Sequence, residues 1–305
     1  MDTSSTDYAV CILAHNEEKH IARTLTAVID ESSESGAQLY LYANGCTDST
    51  VAIAQQFVER AARLHLREIA RASKPNAWNA AFSEVTADYL VFSDGDILPE
   101  PGAISRLVSV LRANPHVVIA SSKLLPLKQG LDFQQMLVGF MQLPVLQQCL
   151  CGGLYAVRCG ALAEALSRKG YSLLPEGVTG EDGFLQFILD KGQLTIADCV
   201  SFYEPPDIPD YLRYLARIRW QNDQLMLLLG AIPGQGQGVI GKLLFKIKKT
   251  EDLKYLLLSS SAFLTKFVFK FMFRTRIDRI YRSLGPVTGD GAMILCRLTR
   301  STSTK

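Results

Sequence analysis

The stretch Tyr89-Leu90-Val91-Phe92-Ser93-Asp94-Gly95-Asp96 constrains this chain more than any other. Large apolar residues lead without a break into two carboxylates separated by a glycine. A short apolar run rich in aromatic and β-branched residues predicts a strand buried on both faces, as in a parallel sheet. Such sheets place their ligand sites beyond the carboxyl ends of the strands. Asp94 and Asp96 fall there, and Gly95 lets the backbone approach a ligand closely. Two like charges so close repel unless a cation lies between them, and hard oxygen ligands suit Mg2+ or Mn2+. The competing account is an Asp-Gly turn leading into Pro99-Glu100-Pro101-Gly102.

The preceding sequence supplies companions for that strand. Tyr8 to Ala14 reads as a second buried strand ending at His15-Asn16-Glu17-Glu18, and Ile21, Leu25, Val28 and Ile29 then share one helical face. Gln38 to Ala43 is a strand, and Asn44-Gly45-Cys46-Thr47-Asp48-Ser49 the turn opening the next helix. Asp48 or Ser49 is its expected N-cap, with Val51, Ala54, Phe57, Val58 and Ala61 as its buried stripe. Leu64 to Ile69 is a weaker strand, and Lys74-Pro75-Asn76 opens a helix running through Val85. Strands alternating with helices predict βαβ units and a mostly parallel sheet flanked by helices. Several strand ends are thus polar at one edge, which ordinary turn chemistry also favours. No G-x-G-x-x-G follows the first strand and no Walker lysine loop is present, so neither a dinucleotide nor a P-loop site is expected.

Beyond the strand expected over Val117–Ser122 the pattern changes. Phe133 to Leu150 is an apolar, glutamine-rich helical segment interrupted by Pro144. Gly152 to Arg158 reads as a strand starting on two glycines, Gly152 and Gly153. In Gly180-Glu181-Asp182-Gly183 the carboxylates open a helix, where the dipole favours them; capping explains one of them better than both. Leu194 to Phe202 is the last strand. A helix from about Pro209 carries Arg213, Arg217, Arg219 and Trp220, and clustered guanidinium groups suit a diphosphate, although a solvated helix face explains them too.

Ile232 to Gly238 is glycine-rich and divides the chain into an expected catalytic domain over 1–230 and a helical extension over 231–305. In the extension, Lys242 to Arg282 interleaves basic residues with Leu, Ile and Phe. No run there is long enough to span a bilayer; the pattern suits either a membrane surface or a helix packed on the core. The net charge of the 305-residue chain is only +2, so nucleic acid is not an expected partner. Met1 to Asp7 is polar and acidic, unlike a secretory leader, and seven cysteines, an odd number, suggest reduced thiols. Both observations lead to the expectation of a cytoplasmic protein, peripheral on the inner face of the membrane if the extension docks there. Cys149 and Cys151 lack the companions of a zinc site.

In this order the motifs resemble those of the family 2 glycosyltransferases, from about Tyr8 to Asp223. Ile12-Leu13-Ala14-His15-Asn16-Glu17-Glu18 resembles the family's opening strand and loop, and Asn44 to Thr50 its nucleotide-facing loop, with Ala43-Asn44 where many members carry two aspartates. Lys74 to Ala81 is similar to the lysine- and asparagine-bearing helix start. Asp94-Gly95-Asp96 matches the D-x-D motif, Gly180-Glu181-Asp182 the G-E-D motif, and Arg219-Trp220 the end of Q-x-x-R-W, in which Ala216 replaces the glutamine. The resemblance implies a GT-A fold and an inverting transfer from a nucleoside-diphosphate sugar to a hydroxyl of a glycan or lipid-linked acceptor. The missing glutamine favours transfer of a single sugar over processive synthesis.

The same resemblance implies the roles. Asp96, with Asp94, meets Mn2+ or Mg2+; Asp182 is the base; Glu17, Asn44 and Asp48 line the nucleoside pocket. Lys74, Asn79, Arg217, Arg219 and Trp220 face the diphosphate or acceptor, and Ala14, Asn16, Gly153 and Glu181 complete the substrate-binding set. The alternatives are a sugar-phosphate nucleotidyltransferase, for which the glycine- and arginine-rich loop is absent, and a non-catalytic sugar-nucleotide binder.

Overall fold

The structure, a computed structural model, describes residues 7–127, 149–205, 208–228 and 273–283. The helical segment expected over 133–150, except its last two residues, and the extension, except 273–283, lie outside the described residues. The described residues form two compact units. One holds 7–125, 149–175 and 181–204; the other holds 126–127, 176–180, 205, 208–228 and 273–283.

The first unit is built on a sheet of eight strands in the order β3-β2-β1-β4-β7-β6-β8-β5. These are β1 (Tyr8–Ala14), β2 (Gln38–Asn44), β3 (Leu64–Ile69), β4 (Tyr89–Asp94), β5 (Leu98–Pro99), β6 (Ile119–Pro126), β7 (Leu154–Arg158) and β8 (Leu194–Tyr203). Every residue of β1 is buried, as its unbroken apolar run predicts. Helices α1 (Ile21–Ser32), α2 (Thr50–Val58), α3 (Lys74–Glu84) and α4 (Ala103–Ala113) connect the early strands. Helix α1 buries Ile21, Leu25 and Val28, while α2 buries Ala54 and half-buries Phe57 and Val58. Helices α5 (Cys159–Arg168) and α6 (Glu181–Ile188) follow β7.

The sheet is mixed. β1 pairs in parallel with β2 and β4, and β2 with β3, as the alternating pattern predicts. β7 then runs antiparallel to both β4 and β6, and β5 antiparallel to β8. A strand buried on both faces has the same composition whichever way its neighbour runs, so periodicity does not reveal this switch. The expected strand over 117–122 lies at 119–126, and the one expected from Gly152 begins at Leu154. The two glycines precede the strand, and the Gly153 carbonyl accepts from Asp94 N at 2.9 Å.

An aromatic stack backs the end of β4. Trp78 of α3 lies against Phe82 and Phe92, Phe92 lies against Tyr155, and the indole N–H donates to Tyr155 Oη at 2.9 Å. A buried tryptophan thereby satisfies its one donor.

In the second unit α7 (Ile208–Leu228) packs with α8 (Arg274–Ser283). Ile277 is buried, Arg219 reaches Asp278 at 2.6 Å and lies over the Tyr281 ring, and Tyr281 Oη donates to Asp223 at 2.9 Å. Segment 176–180 belongs to this unit too. Gln224 donates to the Gly177 carbonyl and accepts from Thr179, while Gln221 donates to the Thr179 carbonyl.

Candidate active site

The carboxyl ends of β1, β2 and β4 gather Glu17, Asp48, Asp94 and Asp96 in the first unit. Burial, followed by the negative charges of Asp96, Asp94 and Asp48, pushes the Glu17 carboxyl up to about 8. Gly95 makes that proximity feasible. Its N–H donates to the Leu13 carbonyl at 2.9 Å, and a Cβ placed there would stand 2.9 Å from Ala14 Cβ and 3.2 Å from Glu17 Cγ. Ala14 is itself fully buried, so it sets the floor of the loop.

Asp96 makes no hydrogen bond or ion pair to another described residue, whereas Asp94 is tightly held. No three His, Cys, Asp or Glu side chains form a metal cage among the described residues. A Mg2+- or Mn2+-type cation is commonly held by one or two carboxylates, with phosphates and water supplying the other oxygens. The excess of negative charge around the half-buried Asp96 fits such an ion.

Lys74, the first residue of α3, lies between the other two acidic elements. Its Nζ is 2.7 Å from Asp94 Oδ1, 2.9 Å from Asp94 Oδ2, 2.5 Å from Glu181 Oε1 and 3.2 Å from the Gly152 carbonyl. Ser73 caps α3 by accepting from Asn76 N, and Pro75 occupies the first turn. Burial depresses the Lys74 ammonium's proton affinity, but Asp94 and Glu181 more than reverse this and leave it raised. For Asp94, burial outweighs the attraction of Lys74, with Glu181 and Asp96 adding to it, and the carboxyl is pushed up to about 7. Burial likewise raises Glu181, which is only 3% exposed.

Asp182 is half-buried at the first turn of α6, and its Oδ1 accepts from Gly183 N at 2.8 Å. The structure therefore separates the two carboxylates of Glu181-Asp182. Glu181 turns into the ion cluster, and Asp182 stays partly open to solvent.

Other expected site residues are committed to the scaffold. Asn44 is buried, with Nδ2 donating to the Ala14 carbonyl at 2.8 Å and Oδ1 accepting from Ser73 N at 3.0 Å. Asp48 Oδ1 accepts from Thr50 N and Oγ1, and its Oδ2 accepts from Glu18 N. Partial burial opposes ionisation of Asp48, but the Thr50 and Glu18 hydrogen bonds outweigh it and lower its carboxyl below the usual range. Asp48 thus supplies the oxygen that opens α2, while Ser49 makes no side-chain cap. Thr50 Oγ1 also accepts from Glu17 N at 2.7 Å, tying Glu17 into that loop. Asn16, at φ 57°, accepts from Thr47 N at 2.8 Å, and Asn79 exchanges two 3.0 Å hydrogen bonds with the Leu174 backbone.

Arg217, Arg219 and Trp220 lie in the second unit. Arg217 is exposed and flanks the Tyr214 ring, while Arg219 is paired with Asp278. Gly152 carries no signal in the sequence beyond the glycine pair before β7, in which Gly153 is the expected site residue. Its carbonyl contact with Lys74 bridges residues far apart in sequence and leaves no local pattern.

The fold and the motif order agree with a family match. Residues 9–146 match the family model for glycosyl transferase family 2. Over that stretch the chain is similar to the family 2 glycosyltransferases. No curated protein sequence matches it. Among solved structures it is similar to glucosyl-3-phosphoglycerate synthase from Mycobacterium tuberculosis in complex with phosphoglyceric acid, at 20% identity and a TM-score of 0.52. That alignment covers 75% of this chain and 82% of the other. The same synthase with Mn2+, uridine diphosphate and glucosyl-3-phosphoglycerate aligns at 21% identity, a TM-score of 0.51 and the same coverages. At these identities the likeness establishes the GT-A fold of this chain and nothing finer.

Proposed function

We propose that this protein moves one sugar, with inversion, from a nucleoside-diphosphate sugar to a hydroxyl of a glycan or lipid-linked acceptor, using Mn2+ or Mg2+. The observation that carries the reading is the pairing of the Asp94-Gly95-Asp96 loop and the Glu181-Asp182 helix start through Lys74. Asp182 takes the proton from the acceptor hydroxyl as that oxygen attacks the anomeric carbon. The bond from the anomeric carbon to the phosphate oxygen breaks, and its electron pair leaves with the nucleoside diphosphate. One displacement from the opposite face inverts the configuration and needs one base, with no covalent nucleophile. Asp96 would hold the cation, which when bound supplies charge stabilisation to the departing diphosphate.

A thermal-shift screen of UDP-, GDP- and dTDP-sugars with Mn2+ identifies the donor, since a ligand bound to the native state raises its stability. The expected result is one nucleotide that stabilises in the presence of Mn2+ and is consumed when acceptor is added. Asp96→Ala should lose the metal-dependent part of the shift while keeping the same melting profile alone. Undiminished transfer in excess chelator would refute the metal requirement.

The acceptor is read as membrane-borne because of α8. At 100° per residue, Arg276, Arg279 and Arg282 fall within one third of the helix circumference, opposite the Ile277 and Tyr281 side that meets α7. All three are exposed and make no ion pair to a described residue. An anionic leaflet offers ~1 kcal/mol for each such charge, enough for reversible docking when several act together. No described helix is long and apolar enough to cross a membrane. Replacing the three arginines with glutamine should reduce flotation with phosphatidylserine liposomes and leave transfer to a water-soluble acceptor unchanged. Equal flotation of both proteins removes the membrane reading.

A further inference from the structure

We propose that Lys74 is a positioning residue that yokes the D-x-D loop to the start of the base-bearing helix, and that it does not serve as a ligand of the donor diphosphate. The proposal rests on the glycosyl-transfer reading of the site and assigns Lys74 a task different from the one its motif implies.

An ammonium has three N–H bonds and no acceptor. Around Lys74 Nζ stand three acceptor groups: the Asp94 carboxylate, Glu181 Oε1 and the Gly152 carbonyl, all within 3.2 Å. Asp94 and the Gly152 carbonyl accept hydrogen bonds, and Glu181 Oε1 is an ion-pair contact at 2.5 Å, so a phosphate could reach the ammonium only by displacing one of the three. Glu181 is almost wholly buried, so losing Lys74 would leave its charge without solvent or partner.

Gly152 closes the cluster from the remaining side. A Cβ there would lie 3.0 Å from Glu181 Oε1, 3.3 Å from Lys74 Nζ and 3.4 Å from Asp182 Cβ. Any side chain there would force the Lys74–Glu181 ion pair to give by a few tenths of an ångström. The consequence is geometric. The last residue of β4 and the first of α6 share one ammonium, so Asp96 and Asp182, each close in sequence to a clasped residue, are held in a fixed relation. Preorganisation of this kind acts on the chemical step, because small displacements of a base reduce turnover without removing the donor's contacts.

The experiment compares Lys74→Met, Glu181→Gln and the double variant in the full chain. It measures kcat, donor Kd with Mn2+ by calorimetry, and hydrogen exchange of residues 181–188. Lys74→Met is expected to lower kcat at least tenfold, shift donor Kd less than threefold and speed exchange in 181–188. Should Lys74→Met fold poorly because two carboxylates are left uncompensated, the double variant removes one of those charges. It is expected to fold and to keep the low kcat with near-native donor Kd. The proposal is overturned by a rise in donor Kd as large as the fall in kcat, which would make Lys74 a diphosphate ligand. A kcat within threefold of wild type, or unchanged exchange in 181–188, also overturns it. If the wild-type chain transfers no sugar at all, the functional reading fails by itself, and the exchange measurement still decides the yoke.

Discussion

Glu181 and Asp182 are adjacent in sequence and opposite in circumstance. The first is buried against Lys74; the second keeps a partly open carboxylate held by Gly183 N. Asp182→Asn preserves shape and removes the proton acceptor, so turnover should fall by ~10^2 or more while donor affinity survives. Steady-state kinetics beside donor titration checks this, and a crippled Glu181→Gln with a near-normal Asp182→Asn would reverse the two roles. Glu17 yields a pH prediction. Its carboxyl in the folded protein is raised to about 8 from an ordinary value near 4.5. Between those values the folded chain binds a proton that the unfolded chain does not. The favourable contribution is therefore complete at low pH and is lost as pH rises through about 8. Thermal unfolding of the metal-free protein should thus lose stability over that window, and Glu17→Gln should flatten the slope. Adding Mn2+ should flatten it as well, since a bound cation offsets the neighbouring carboxylates that raise Glu17.

At the scale of elements, the strand ends are fastened by side chains that reach sideways. Asn44 joins the end of β1 to the residue before α3 through two hydrogen bonds from a buried amide. Asn44→Ala leaves the Ser73 N–H without its side-chain acceptor and the Ala14 carbonyl with only the 3.6 Å contact from Cys46 Sγ as a side-chain donor, a loss of ~1–3 kcal/mol. Chemical denaturation should show a lower midpoint with an unchanged slope, and a shift below ~0.5 kcal/mol would mean water replaces the amide. This latch also shows where sequence reasoning ran out. Apolar runs located β1, β2 and β4, and the D-G-D and G-E-D spacings located the acidic elements. Whether Asn44, Asp48 or Asn79 points at a ligand or at a backbone amide has no periodic signature, because Asn and Asp favour both uses in turns. The antiparallel pairing of β7 was hidden for a similar reason, since burial pattern carries no direction. Lys74 and Glu181 are more than a hundred residues apart, so their pairing emerges only with the fold.

At the scale of the molecule, the five residues before Glu181 belong to the unit of α7, where Gln221 and Gln224 hold Gly177 and Thr179. Gln224→Ala should increase exchange of the 177–179 amides with little effect on those of β1 and β4. The aromatic stack has an optical use. The chain has two tryptophans, Trp78 in the first unit and Trp220 in the second. Trp78 has no solvent exposure, while Trp220 is only half-buried. Trp220→Phe would leave a single emitter sealed between Phe82, Phe92 and Tyr155, two of which stand on strands β4 and β7. Its blue-shifted fluorescence would then report the integrity of the sheet beside the D-x-D loop. A label-free readout of that one region is already written into the protein.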